Sequence, residues 1–276
     1  MALMKNPIHT ATVDQLNIKV YADRPSLGNA AAEQVAIKIK EMLAQKGELR
    51  MVFAAAPSQN EFLEALVQTA GIDWSKITAL HMDEYIGLPA DASQSFGAYL
   101  RQHLFDKVTF GKVHFIDSTN EIEAECVRYT GLLREKPIDI VCLGIGENGH
   151  IAFNDPPVAD FQDKAWVKPV ELDRACRLQQ VNDGCFPTLD DVPTHAITLT
   201  IPALMSGRLL FCMVPGISKR HAVRKTLNEP ISTSCPSSVL REHPACILFT
   251  DKDSYKLEVD ERGAAYGPSP KKRTRH

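Results

Sequence analysis

The run Ile138-Asp139-Ile140-Val141-Cys142-Leu143-Gly144-Ile145-Gly146-Glu147-Asn148-Gly149-His150 decides how the chain is read. Its first half is a short, β-branched apolar stretch bounded by glycine, the form of a strand buried on both faces. The turn after it satisfies G-x-G-x-x-G, the spacing of a dinucleotide loop, but its context does not. Such a loop opens into a helix, whereas here Ile151-Ala152-Phe153-Asn154-Asp155-Pro156-Pro157 follows, and two prolines stop regular structure within a few residues. No strand ends in an acid about 20 residues further on to hold a ribose. Nicotinamide binding is therefore set aside, and no cofactor is expected. What remains is a glycine turn at the carboxyl end of a buried strand, with Glu147, Asn148, His150, Asn154 and Asp155 crowded behind it. That is the sheet edge at which open α/β folds bind ligands.

Working outward, short apolar runs recur at 18–22, 51–55, 77–82, 112–115, 195–199, 208–214 and 245–249, with longer amphipathic stretches between most of them. Ala30, Ala31, Val35, Ile39 and Leu43 form one helical stripe, and Phe62, Leu66 and Val67 another. Ser58 with Glu61 predicts a capping box at the start of the second helix. The alternation predicts an α/β fold, a doubly wound and mostly parallel sheet with helices on both faces, Rossmann-like in form. Residues 156–193 break the rhythm; they are rich in Asp, Gln and Pro and long for a connection, so they are expected to be a lid. One domain is expected over residues 1–255, followed from 256 by a disordered tail.

Composition narrows the function classes. With 44% hydrophobic and 24% charged residues in 276, collagen, coiled coil and disorder are excluded. The formal net charge is −3, and Lys271, Lys272, Arg273 and Arg275 all lie in the last six residues, so the body is acidic and no nucleic acid partner is expected. No apolar run approaches the ~20 residues of a membrane helix, and the N-terminus lacks a signal sequence. A soluble, cytoplasmic protein without a membrane partner is expected. The seven cysteines are scattered, with no Cys-x-x-Cys, and read as reduced thiols. The nine histidines never form a His-x-x-x-His pair, so no metal site is expected.

Two further clusters sit after strand-like runs. Asp83 and Glu84 follow 77–82; one of two adjacent carboxylates commonly caps a turn, while the other, partly withdrawn from water beside a like charge, has the raised proton affinity of a general base. Pro215-Gly216-Ile217-Ser218-Lys219 precedes a helix and offers amides, a hydroxyl and an ammonium to an anion. Neither a Gly-x-Ser-x-Gly elbow nor a Walker A loop is present.

Met82-Asp83-Glu84-Tyr85-Ile86-Gly87-Leu88-Pro89 and Gly144-Ile145-Gly146-Glu147-Asn148-Gly149-His150-Ile151-Ala152-Phe153-Asn154-Asp155-Pro156 resemble the two signatures of glucosamine-6-phosphate deaminases. The resemblance runs from residue ~15 to ~255, in the order of the βαβ reading. It implies an aldose–ketose isomerase and deaminase that turns an amino-sugar phosphate and water into a ketose phosphate and ammonia, without metal or cofactor. It places Asp83, His150, Asp155 and Asn148 in the chemistry. Substrate binding falls to Glu84, Gly146, Gly149, Ser58, Gln59, Lys219 and, from the lid, Arg177 rather than Arg174. The partner is a small sugar phosphate, with a homo-oligomer left open.

The chain departs from these signatures at three points. Asn148 stands where the family reads Asp. Asp155 stands where it reads Glu, one methylene longer. Ala55-Ala56-Pro57-Ser58-Gln59-Asn60 replaces the glycine-rich phosphate loop Thr-Gly-Gly-Thr-Pro. Glycine lets backbone amides approach a phosphate, and Pro57 has no amide to donate. Two other readings therefore stand beside the first: the same scaffold acting on a different sugar or sugar phosphate, lactone hydrolysis included, or a non-catalytic sugar-phosphate sensor.

Overall fold

The computed structural model describes residues 6–89, 91–256, 258–259 and 265–266. In chain order the strands are β1 (His9–Val13), β2 (Leu16–Tyr21), β3 (Leu49–Phe53), β4 (Ile77–His81), β5 (Asp83–Tyr85), β6 (Lys112–His114), β7 (Ile140–Leu143), β8 (Val167–Glu171), β9 (His195–Leu199), β10 (Leu209–Val214) and β11 (Cys246–Asp251). The helices are α1 (Arg24–Lys46), α2 (Asn60–Gln68), α3 (Phe96–Leu100), α4 (Ile122–Arg134), α5 (Arg174–Asn182), α6 (Ile201–Met205), α7 (Arg220–Asn228) and α8 (Lys252–Tyr255). The tail expected from residue 256 falls mostly outside the described residues; within it, Glu258–Val259 pairs antiparallel with Ala265–Tyr266.

Eight strands form the main sheet in the order β1-β2-β11-β10-β7-β3-β4-β6, parallel throughout except for the β1–β2 hairpin at one edge. Period-2 alternation divides its side chains between two cores. Met51, Phe53, Cys142, Phe211 and Met213 pack with α1 and α2 on one face, while Val52, Val141, Leu143, Cys212 and Val214 pack with α4 and α7 on the other. Burying each such side chain contributes about 1.5–3 kcal/mol, which is why β7 and β10 are apolar at every position.

Helix α1 starts where Asp23 accepts from the Ser26 amide at 2.8 Å, with Pro25 in its first turn, and stops at Gly47, whose φ of 78° few other residues adopt. A Cβ on Gly28 would lie 2.6 Å from Cβ of Glu61, so Gly28→Ala would push α1 off α2. The expected capping box on Ser58 is not formed. A 3-10 turn, Pro57–Gln59, precedes α2, and Ser58 lies inside it with its hydroxyl accepting from Gln59 Nε2 at 3.1 Å.

The chain leaves β3 toward β4 and β6 on one side, and leaves β7 toward β10 and β11 on the other. The winding therefore reverses between β3 and β7, which opens a crevice beyond their carboxyl ends.

The expectation for 195–199 is corrected in one respect. Those residues are a strand, but β9 belongs to a second, antiparallel sheet in the order β5-β9-β8, not to the parallel one. The second sheet draws β8 from within residues 156–193, so that segment is not a plain loop; it supplies β8 and α5. The sequence gives little warning of β8, because Val-Lys-Pro-Val-Glu carries a proline and only two inward apolar side chains.

Candidate active site

The crevice at the winding reversal is lined by three groups of residues: the turn after β3 (Ala54, Ala55, Ala56, Ser58, Gln59), the loop after β7 (Gly144, Ile145, Gly146, His150, Ala152, Phe153), and Lys219 after β10. Met82, Asp83 and Phe96 close one side, Gln179 and Gln180 of α5 another, and the space between is about 490 Å³.

The loop after β7 folds on itself. Gly146 N donates to the His150 carbonyl at 2.9 Å, and a Cβ on Gly146 would strike the His150 ring at 2.1 Å, so only glycine allows the ring to lie there. Gly149 turns the chain at φ 90° against Cys235, where a Cβ would meet Sγ at 2.8 Å; it shapes the loop and does not line the crevice. Ala152 adopts φ 49°, a strained conformation for a residue with a Cβ.

The imidazole is held by two acceptors. His150 Nδ1 lies 2.8 Å from Asn148 Oδ1 and 2.9 Å from Asp155 Oδ1, while Asn148 Nδ2 donates to Asp155 Oδ1 at 2.9 Å. Donation to Asp155 fixes which end of the Asn148 amide is oxygen, so Nδ1 carries a proton. Burial alone would raise the Asp155 carboxyl, but the hydrogen bond and charge of His150, the Asn148 amide and the Asp173 N–H at 3.3 Å outweigh it and hold the group below its ordinary range. Asn148 and Asp155 thus sit behind the histidine and outside the crevice lining. The aspartate spans to the ring despite its missing methylene.

Asp83 reaches the crevice because β4 ends and β5 begins one residue apart. The Tyr129 hydroxyl clamps the junction, accepting from His81 N and donating to His81 O, both at 2.9 Å. The His81 ring, held at about 4 by burial and so neutral, accepts the Ile116 amide. Asp83 then pairs with Thr198 of β9, whose hydroxyl accepts the Phe153 amide at 3.0 Å, while Asn154 Nδ2 donates to Leu199 O at 2.9 Å. One strand of the second sheet therefore holds both Asp83 and the histidine loop. Burial pushes the Asp83 carboxyl well above its ordinary value, and the charge of Glu84 adds to the effect.

Glu84 points the other way. Its carboxylate accepts the amides of Tyr85, Phe96 and Gly97 at 2.8–3.0 Å, and it is absent from the crevice lining. It is the turn-capping member of the pair, and the structure does not bring it to the crevice with the other residues expected to bind substrate. Arg177 is not brought there either: its guanidinium donates to the carbonyls of Leu189 and Val192, tying the 156–193 segment to itself. The residues of α5 that face the crevice are Gln179 and Gln180, with Gln179 Oε1 accepting the Glu147 amide at 2.8 Å. Helical spacing separates Gln179 from Arg177 but not Gln180, three residues on, and the helix itself was not legible in the sequence.

Lys219, which also lines the crevice, is 5% exposed and its ammonium makes no hydrogen bond or ion pair among the described residues; burial lowers its proton affinity. Ser58 and Gln59 line the same crevice, and Gln59 Nε2 is anchored on Met213 O at 3.2 Å. Sequence reading missed Cys176 of α5, a buried thiol beside Asp155. All seven cysteines are free.

Residues 22–248 match the family described as glucosamine-6-phosphate isomerases/6-phosphogluconolactonase. The chain is 35% identical over 229 residues to a glucosamine-6-phosphate deaminase of Listeria innocua, covering 82% of this chain and 95% of that one. It is 32% identical over 243 residues to the enzyme of that name from Bacillus cytotoxicus, with 88% and 89% covered. Among solved structures, one described as a monomeric glucosamine-6-phosphate deaminase superposes with a TM-score of 0.80 at 29% identity, covering 87% of this chain and 98% of that one. A 6-phosphogluconolactonase from Thermotoga maritima shares the fold at TM-score 0.71 and 21% identity, over 86% and 100% of the two chains. Among the described residues, no helix is long and apolar enough to cross a membrane. With both signatures gathered around one crevice and the match spanning most of its length, the chain belongs to the glucosamine-6-phosphate isomerase/6-phosphogluconolactonase family.

Proposed function

We propose that the protein is a cytoplasmic glucosamine-6-phosphate deaminase, or acts on a close relative of that sugar, releasing a ketose 6-phosphate and ammonia. The observation that carries this reading is the convergence of Asp83 and the oriented His150 on a crevice also lined by a buried lysine that has no ion pair among the described residues. His150 Nε2 takes the proton from the anomeric hydroxyl as the ring opens, and the ring oxygen is protonated in return. Asp83 takes the proton from C2 while the substrate ammonium gives one to the C1 aldehyde oxygen, forming an enolamine; Asp83 then returns its proton to C1, which leaves a C1 hydroxyl and an iminium at C2. Water adds to that carbon and ammonia departs. Asn148 and Asp155 fix the imidazole tautomer and orientation. Lys219, Ser58 and the free amides of the turn after β3 bind the phosphate. The chain acts as one domain over residues 1–255, and 156–193 is the lid, docked through Gln179 on the histidine loop.

The rewritten turn Ala55–Asn60 favours a second reading, a shifted sugar specificity on the same chemistry. Ammonia release is measured with glucosamine 6-phosphate, galactosamine 6-phosphate and unphosphorylated glucosamine, beside hydrolysis of 6-phosphogluconolactone. Turnover of the first that needs the phosphate supports the proposal. Lactone hydrolysis without ammonia release from any amino sugar would overturn it.

A further inference from the structure

A ring nitrogen of His150, a carboxylate oxygen of Asp155 and Sγ of Cys176 all lie within 4.8 Å of one another, and all three residues are buried. Two of them belong to the reaction proposed above, whereas Cys176 has no part in it. The cysteine comes from α5, in the 156–193 segment, so the cluster forms only where that segment meets the histidine loop. Imidazole, carboxylate and thiolate together suit a borderline-soft divalent ion better than Mg²⁺ or Ca²⁺, which prefer oxygen alone. Zinc bonds of about 2.0–2.3 Å in a tetrahedron place ligand atoms roughly 3.3–3.8 Å apart, so modest closure of the three groups suffices. A thiolate, a carboxylate and a neutral imidazole balance a dication.

The geometry points to a latent inhibitory site for a zinc-like divalent cation, formed by His150, Asp155 and Cys176. On binding, three metal–ligand bonds form, the thiol proton leaves to solvent, and the imidazole keeps one proton on the nitrogen that does not bind. No electron is transferred. A metal held there takes His150 and Asp155 out of the hydrogen-bonded group that orients the ring, so occupancy switches the proposed reaction off. The binding claim stands without any assumption about the sugar; only the inhibition rests on the role proposed for His150.

The test titrates the metal-free full-length protein with Co²⁺ and follows the near-ultraviolet charge-transfer band that a cobalt–thiolate bond produces, then adds Zn²⁺ to displace it. One equivalent of band, lost on zinc addition, is expected from the native chain and from a Cys185→Ser control. Cys176→Ala is expected to lose the band, and Cys176→Ser and Asp155→Asn to weaken zinc binding by about 100-fold or more. Far-ultraviolet circular dichroism reports that each variant is folded, and Asp155→Asn serves if the cysteine variants are not. Absence of the band from the native chain, or its persistence in Cys176→Ala, overturns the proposal. Zinc inhibition of ammonia release without a band places the metal elsewhere and overturns it equally. Failure of the ammonia assay alone leaves the optical readout intact, so the two claims fail separately.

Discussion

Two regions of the crevice wall are built on opposite plans. Around His150 nearly every polar atom is already bonded: Nδ1 to two acceptors, Asn148 to Asp155, Asp155 to the Asp173 amide, and the loop backbone to Thr198. Around Lys219 the ammonium is buried with no direct partner among the described residues. The first arrangement is complete without a ligand, as a group that must act in one tautomer and one orientation requires. The second leaves a buried charge uncompensated, which a bound anion would offset. Asp83 belongs to the unfinished plan. It is buried and holds a proton more tightly than an ordinary carboxyl, a state that the cationic amine of a substrate would relieve.

Removing Asp83 gives the largest expected effect and tests this contrast most directly. Asp83→Asn should lower kcat by about 10²–10⁴-fold in the ammonia assay, yet raise Tm in scanning calorimetry at neutral pH. The folded carboxyl binds its proton above the ordinary 3.8 of the unfolded chain, so stability falls as pH rises from there through the raised value, and the asparagine escapes that loss. The same raised value should bring the acid limb of the native pH–rate profile above the ordinary carboxylate range. A lower Tm for the variant would break the comparison.

Asp155→Asn comes next, at about 10²-fold in kcat with KM little moved, because it disturbs the finished region. Here the sign reverses. Asp155 is held below its ordinary range, so it contributes stability above the unfolded value that is lost as pH falls through the folded one; the variant should therefore melt lower than the native protein at pH 7.

Lys219→Met should weaken kcat/KM by about 10- to 150-fold, mostly through KM, which is the range expected for a charge-assisted bond of ~1.5–3 kcal/mol. The folded ammonium is disfavoured, so stability is lost as pH falls from 10.5 through the lowered value, and the methionine variant should melt higher. Added inorganic phosphate should raise Tm of the native chain and leave that of the variant unchanged; equal shifts would place the anion elsewhere. Ser58→Ala is the smallest, about 2- to 10-fold in KM, and sharpens how far the rewritten turn still binds phosphate.

Much of this was legible in the amino-acid order. The parallel strands announce themselves because a strand buried on both faces must be apolar throughout, and the polar crowd after β7 stands out because loops at that edge have no structural need for it. The pair Asp83–Glu84 was readable as one base and one cap, though not which was which. Three amides converge on Glu84 only once α3 has folded beside it. Arg177 misled for a related reason: a guanidinium that ties its own segment by two carbonyls looks the same in sequence as one that meets a phosphate.

Local pattern was enough for the winding of the sheet and the place of the crevice, since periodicity and glycine turns act over a few residues. The second sheet could not be read that way. Its strands β5, β8 and β9 are drawn from distant parts of the chain, and β8 has no strong period of its own. Yet pairing of Asp83 with Thr198, and of Thr198 with Phe153, is what brings Asp83 and the histidine loop together. Their meeting is a property of long-range hydrogen bonds, and so is the encounter of Cys176 with Asp155.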